Sequence, residues 1–461
     1  LTDLTPPDVP LAFRDLMTLA ARLENDKDYA FADRLLNRAL TVVPDHPDAL
    51  HLSGIVAFRL GRREEALTKI ERAIECGVDI RLYLRNISEV YRALGRFDDA
   101  LNAARRATAM APDDPVCLHN LAVIQYHRLE LDDCIASAEK ALAINPFQPG
   151  PHFQLAEAFL LRGEWERGWN EYQWRFDLPG NAPLMPPTTQ PRWDGTPFDD
   201  GTLLLIADQG FGDVIQFSRY IPWAAERCPN IAVATAAEMM PLLRQVYPAA
   251  RLFNEWASAP PFRAFRALSG LPALHGTRPD HVLGGEPYLR ADPARAAAWK
   301  ERLDRLTPSG SRRIGIVWAG RPTHNNDRWR SAKLSDFAPL AALPGVALVS
   351  LQKGPTAAQA GQYFGAAPLV NIGAEISDYE DTMAILAALD LLVTVDTSVG
   401  HVAGAMGCRA FILLAHAPDW RWLLDRTDTP WYPSVTLVRQ SATGVWKDAM
   451  ARAAALVAAS A

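Results

Sequence analysis

The chain has 461 residues, 49% of them apolar and 22% charged, a balance typical of folded globular domains that excludes a collagen-like fibre, a disordered chain and a membrane-embedded bundle. At roughly 150 residues per domain, this length points to about three folding units. Lys and Arg number 47 against 53 Asp and Glu, a net charge of −6, so the basic excess that grips a phosphate backbone is missing and nucleic acid is not an expected partner.

The first predicted elements are helices that repeat. Gly61 and Gly95 stand 34 residues apart, each between an apolar helix-like run and a charged one. The same step carries Ala32 to Ala66, Ala100, Cys134 and Gly168, and Ala39 to Ala73, Ala107 and Ala141. All are small, as helices in close contact require. Pro44, Pro112 and Pro146 keep the register, with Val78 in the remaining slot; proline cannot continue a helix, so each marks a repeat boundary. The pattern resembles tetratricopeptide repeats, with four repeats over about 15–146 and a modified fifth at 151–168. Lys27 and Leu129 occupy turn positions where glycine is usual. Such pairs stack into an all-α superhelix whose concave face commonly holds an extended peptide, so a protein or peptide partner is expected. A spacer or oligomerisation arm is the alternative, which leaves a homodimer open. Trp165, Trp169, Tyr172 and Phe176 fall at helical spacing and predict an apolar face docked on the next domain. The expected repeat domain is 1–176, followed by a proline-rich linker, 177–200.

Beyond the linker the period changes. Residues 202–207 form an apolar strand, then Asp208-Gln209-Gly210-Phe211-Gly212-Asp213 a glycine turn, then 214–225 a helix. Further strands are expected at 231–235 and 250–253, alternating with helices as a parallel sheet demands. A charged helix at 294–306 leads to a hinge at 307–311. A second set of strands follows at 313–318, 346–351, 369–372, 391–395 and 410–414. Two Rossmann-like α/β domains, 201–306 and 312–440, are therefore expected to face each other across a cleft, with a C-terminal helix in 441–461 packing back on the first.

In open parallel sheets ligands bind beyond the carboxyl ends of the strands. The 391–395 strand is followed by Asp396-Thr397-Ser398-Val399-Gly400-His401 and a helix ending at Gly407. Capped by Thr397 or Ser398, that helix would aim its first amides and its dipole at an anion such as pyrophosphate. After the 313–318 strand come Arg328, Arg330 and Lys333. Arg330 or Lys333 is expected on phosphate, with Arg328 in a surface ion pair.

Five cysteines with no Cys-x-x-Cys pair fit a reducing cytoplasm. Residues 1–10 lack a basic segment followed by an apolar core.

The runs Gln209-Gly210-Phe211-Gly212-Asp213-Val214-Ile215-Gln216-Phe217, Gly315-Ile316-Val317-Trp318-Ala319-Gly320, Ser350-Leu351-Gln352-Lys353-Gly354, Val395-Asp396-Thr397-Ser398-Val399-Gly400-His401 and Asp419-Trp420-Arg421-Trp422 stand in this order. Over 193 to about 446 the chain resembles bacterial tetratricopeptide proteins that carry a GT-B glycosyltransferase domain, related to the heptosyltransferases and more distantly to protein O-GlcNAc transferases. The resemblance implies an inverting sugar transfer from a nucleotide sugar. It places the general base on Asp213, with Asp208 in reserve, beside a glycine loop of Gly210 and Gly212. Asp396, Thr397 and His401 would line the donor's diphosphate and sugar, with amides near Ser398 and Val399 and the Arg330 or Lys333 cation meeting the leaving group. Gln352 and Lys353, with Trp318 and Gly320, would contact the nucleoside. Trp420, Arg421 and Trp422 would serve packing and domain closure. Since 201–461 holds no Asp-x-Asp triplet for a hard cation, no metal or other cofactor is expected. The implied acceptor is a Ser or Thr hydroxyl of a protein, flagellin being one. The alternatives are a lipid-linked or surface glycan acceptor, or a scaffold that binds nucleotide sugar without turnover.

Overall fold

The computed structural model describes residues 12–181, 183–324 and 326–459, and the chain divides between Leu155 and Ala156 into two compact units. The first is a tetratricopeptide array of α1 (Phe13–Asn25), α2 (Tyr29–Val42), α3 (Pro47–Arg59), α4 (Arg63–Cys76), α5 (Arg81–Leu94), α6 (Phe97–Met110), α7 (Pro115–His127), α8 (Leu131–Ile144) and the opening turns of α9 (Pro149–Arg162). Each of α1 to α8 packs on its sequence neighbour. The register seen in the sequence explains why: Ala32, Ala66, Ala100 and Cys134 are fully buried, as are Ala39, Ala73 and Ala141. Between paired helices the chain turns through the left-handed region at Gly61 (φ +81°) and Gly95 (φ +76°), and also at Lys27 (φ +64°) and Leu129 (φ +60°). Those two side chains keep the turn geometry at a steric cost of about 1–2 kcal/mol each.

The second unit opens with the rest of α9 and α10 (Trp165–Tyr172), so the fifth helix pair belongs with the sheets. That moves the expected boundary from 176 to near 155. Gly168 lets the two helices close up, since a Cβ there would lie 2.5 Å from Leu160 Cγ. Two parallel sheets follow. One has the order β3–β2–β1–β4, from β1 (Leu203–Ile206), β2 (Ile231–Ala234), β3 (Arg251–Phe253) and β4 (Ala264–Ala267). The other has the order β10–β9–β8–β5–β6–β7, from β5 (Arg312–Val317), β6 (Val346–Ser350), β7 (Leu369–Asn371), β8 (Leu391–Val395), β9 (Ala410–Leu414) and β10 (Val435–Arg439). Between them in the chain lies the Pro293–Leu306 helix. This is the two-domain GT-B arrangement, and the continuous apolar runs β1, β8 and β9 are buried along their whole length, as strands covered on both faces must be.

Three expectations need correction. Strands β4 and β10 lie outside the expected set: β4 reads Ala-Phe-Arg-Ala, half buried, without the apolar continuity of its neighbours. Within the 177–200 linker, Pro191 to Trp193 runs along the first sheet's edge, for Trp193 N–H donates to Phe265 O at 2.8 Å and Phe265 N–H to Pro191 O at 3.2 Å, and Trp193 is buried. The C-terminal helix (Lys447–Ala459) packs on the second sheet, not the first. Its Ala449, Met450, Ala453 and Val457 complete a core with Ile314, Leu348, Leu413 and Val438.

The aromatic face of α10 docks as expected. Trp165 stacks on Trp431 with centroids 5.0 Å apart, and Trp169 and Tyr172 meet Trp420 at 5.3 and 5.7 Å. Among the described residues no helix is long and apolar enough to cross a membrane.

Candidate functional site

A cavity of about 800 Å³ lies between the two sheet domains, at the carboxyl ends of β1, β5, β6 and β8. Helix α11 (Phe211–Ser218) follows β1 on one side of it, and helix α12 (Ser398–Met406) follows β8 on the other. The turn from β8 into α12 forms the floor: Asp396, Thr397, Ser398 and Val399 all line the cavity. Neither hydroxyl caps α12, contrary to expectation: Thr397 Oγ1 shares a hydrogen bond with Thr394 Oγ1 at 3.0 Å, and Ser398 Oγ accepts from the Tyr379 phenol at 2.8 Å. The first amides of the helix are thereby left for a ligand, with the positive end of its dipole behind them.

Arg330, at the end of the short Asp327–Arg330 helix after β5, lines the same cavity, and its charge pulls the Asp396 carboxyl down against burial. Its Nε is 3.8 Å from Asp327 Oδ1. Gly320 makes room for it, because a Cβ there would fall 2.8 Å from Arg330 Nη2 and 2.9 Å from Asp327 Oδ1. The loop is pinned by Gly320 N–H to Ser331 Oγ (2.9 Å) and by Ser331 Oγ to Asp327 Oδ1 (2.8 Å).

Across the cavity, α11 presents Asp213 from its first turn, hydrogen-bonded to an Arg421 guanidinium nitrogen. Burial pushes this carboxyl up to about 6; Arg421 pulls the other way, while Asp419, Asp208 and Asp396 reinforce the rise. Asp396 is likewise raised above the ordinary carboxylate range by burial, with Arg330 opposing. His401, from α12, shares a hydrogen bond with Tyr432 Oη at 3.0 Å and lies 5.3 Å from Trp422. Burial and then the Arg421 charge drive its pKa down to about 3, so the imidazole is neutral near pH 7. Gly212 is where α11 meets this ring: a Cβ there would sit 2.8 Å from His401 Cδ2. Since Tyr432 and Trp422 hold the ring from other sides, Gly212→Ala is expected to destabilise the fold by roughly 1–3 kcal/mol, read as a fall in the denaturant midpoint at unchanged slope.

The cavity thus gathers Gly210, Gly212, Asp213, Gly320 and Arg330 with the 396–399 turn and His401. Other expected members are elsewhere or otherwise engaged. Asp208, the reserve base, is outside the cavity and accepts from Arg175 Nη2 at 2.9 Å and from the Ser269 hydroxyl and amide. Lys333 is exposed and outside the lining, because the chain leaves the Asp327–Arg330 helix in an extended direction. Arg328 stacks on Trp329 at 4.3 Å. Trp318 is a fully buried core residue and not a nucleoside contact. Gln352 reaches the lining, but its side chain braces the β5 loop, accepting from Trp318 N–H (3.0 Å) and Ala319 N–H (2.9 Å) and donating to Ala319 O (3.1 Å). Lys353 lines the cavity while donating to Ile376 O.

No protein-family profile matches the chain. Protein FlbA of Caulobacter vibrioides is 27% identical over 326 residues, which cover 66% of this chain and 54% of that protein; the chain therefore spans about half the length of this relative. Among solved structures, MamA of Desulfovibrio magneticus RS-1 is 17% identical with a TM-score of 0.33, covering 36% of this chain and 94% of that one. A Pseudomonas aeruginosa PilF structure is 17% identical with a TM-score of 0.34, over 37% of this chain and 78% of its own. YrrB, described as a TPR protein with an unusual peptide-binding site, is 15% identical with a TM-score of 0.31, over 36% and 86%. The repeat architecture of the present chain rests on its own 34-residue register and positive-φ turns.

Further lining residues lie outside the expected set, namely Arg321 and His324 on the β5 loop, Tyr379 and Asp419; Arg421, expected to serve packing and domain closure, bonds across to Gln216 and Asp213 and lines the cavity as well. Asp419 and Arg421 lie in the loop after β9, further from their strand than Asp396 is from β8, and their part in the cavity depends on partners distant in the chain. Arg321 lies 5.7 Å from the Phe211 ring, which meets Tyr379 edge-on at 5.8 Å. Chemically, the site can hold a diphosphate on uncapped amides and Arg330, and can offer a carboxylate able to take a proton above about pH 6.

Proposed function

We propose that the protein is an inverting GT-B glycosyltransferase that moves a sugar from a nucleotide-sugar donor to a Ser or Thr hydroxyl of a protein acceptor engaged by the helical repeats. One observation carries this: a single cavity joins an uncapped helix N-terminus and Arg330 to the half-buried Asp213 carboxylate. The first pair suits the departing diphosphate and the second suits the attacking hydroxyl. As the acceptor oxygen bonds to the anomeric carbon, Asp213 takes its proton. The bond from that carbon to the diphosphate oxygen breaks on the opposite face, so configuration inverts. The charge gathering on the diphosphate is met by the amides of Ser398 and Val399 and by Arg330, where preorganised donors are most effective. Neutral His401 adds hydrogen-bonding capacity without adding charge. The nucleoside occupies the side walled by Lys353, Gly354 and Thr356, on the frame that Gln352 braces. The resemblance to repeat-bearing transferases suggests flagellin as one acceptor.

A panel of nucleotide sugars tests this. One of them is expected to stabilise the protein by about 2.7 kcal/mol at a hundredfold excess over its Kd, seen as a rise in melting temperature, and to yield labelled acceptor protein in excess chelator. If no nucleotide sugar stabilises the protein, or if chelation abolishes transfer and Mg²⁺ or Mn²⁺ restores it, the assignment is wrong as stated.

A further inference from the structure

Arg421 spans the two sheet domains with every guanidinium nitrogen engaged. Nε donates to Gln216 Oε1 at 2.8 Å, Nη1 to the two Asp419 carboxylate oxygens at 2.8 and 2.9 Å, and Nη2 to Gln209 Oε1 at 3.2 Å and to Asp213 Oδ1. Gln209, Asp213 and Gln216 belong to the first-sheet domain; Asp419 is Arg421's near neighbour in the second. The guanidinium carbon lies 4.3 Å from the Trp420 ring centroid and 5.4 Å from that of Phe217, and the residue is 6% exposed. A planar fork held by partners on all sides has a single orientation. Its bond to Asp213 uses Oδ1. The other oxygen, Oδ2, faces the Gly210 turn at the cavity wall, where a Cβ would come within 3.2 Å of it.

We infer that Arg421 is a positioning residue for Asp213: oriented by Asp419, it anchors one carboxylate oxygen, leaves the other turned to the cavity, and makes that arrangement depend on contact between the two sheet domains. The consequence for turnover rests on the proposed sugar transfer; the coupling of the three side chains does not.

The charged groups facing Asp213 are Arg421 and Asp419 from the turn after β9, Asp208 at the end of β1 and Asp396 at the end of β8. Tyr172 of α10 also senses its charge, and His401, packed on Gly212, is neutral above about pH 3. Glu157 senses Asp419, and burial pushes its carboxyl up to about 8, so it stays protonated while Asp213 titrates. Removing the cation and removing its acidic partner should therefore move the Asp213 titration in opposite directions.

The test uses the full chain with ¹³C-labelled aspartate carboxyls, the Asp213 signal being assigned by its absence in Asp213→Asn. Arg421→Gln should raise the Asp213 midpoint by roughly 1–3 pH units, and Asp419→Asn, whose amide oxygen still accepts from Arg421 and keeps it oriented while a negative charge is removed, should lower it. Arg421→Lys keeps a charge but loses the fork, so its midpoint should stay near that of the unmodified protein while kcat falls by up to about 10²-fold at little change in donor KM. An unmoved midpoint in both charge-removing variants, shifts of the same sign, or full kcat in Arg421→Lys overturns the inference. If Arg421→Gln does not fold, Asp419→Asn and Arg421→Lys decide it. If the unmodified protein transfers no sugar, the proposed function falls while the carboxyl titration still decides the coupling.

Discussion

Asp213→Asn is expected to reduce sugar turnover by about 10²- to 10⁴-fold, the usual contribution of a positioned general base, while leaving donor affinity within about twofold, since no donor phosphate rests on this residue. Asparagine is isosteric, and its carbonyl oxygen can still accept from Arg421, so the contact between the domains survives. What is lost is the capacity to take a proton. The pH profile supplies a second, independent signature. With the Asp213 pKa pushed up to about 6 by burial against the pull of Arg421, the carboxyl is protonated and idle below that value and ionised above it. Turnover should rise through one ionisation near pH 6 and level off, and the residual rate of the variant should lack that limb. Near-normal turnover in Asp213→Asn would hand the base role to another group. Asp208 is poorly placed to inherit it, being paired to Arg175 and Ser269 outside the cavity.

The Asp208 and Asp213 pair shows where sequence stops being informative. Both carboxylates flank the same glycine turn, and nothing local separates them. Arg175, 33 residues upstream, and Ser269, 61 residues downstream, bind Asp208 and so take it out of contention. Arg421 has the same character, its partners on α11 lying more than 200 residues away in the chain. The repeats were legible because their signal is local and periodic: one small side chain per turn of contact, one left-handed residue per hairpin. Even the irregular turn residues Lys27 and Leu129 fall into the expected backbone conformation. The strand–turn–helix of 391–406 was legible because its three parts follow each other without interruption. Arg330 could not be told from Lys333, since the choice depends on where a four-residue helix stops. Trp318, which the resemblance puts on the nucleoside, stands at the end of the expected 313–318 strand, and only the packing of the second core shows it to be buried.

Deleting residues 1–150 should leave the nucleotide-sugar melting shift intact and abolish efficient modification of a protein acceptor. The cut spares nearly all of α9, which pairs with α10 through the Gly168–Leu160 contact, and α10 carries the tryptophans that meet Trp420 and Trp431. The sheet unit therefore keeps its aromatic anchor. The quantity removed is local acceptor concentration. An acceptor docked on repeats that share a chain with the cavity is presented at an effective concentration on the order of millimolar, so at micromolar protein acceptor its loss lowers the rate by about 10³-fold. A short hydroxyl-bearing peptide that does not reach the repeats gains nothing from docking, and its slow modification should be the same with and without them. Donor consumption by water, measured with no acceptor present, provides the matching control. Equal rates on the protein acceptor before and after truncation would show that the array serves some purpose other than acceptor capture, and the cavity would then have to select its hydroxyl by itself.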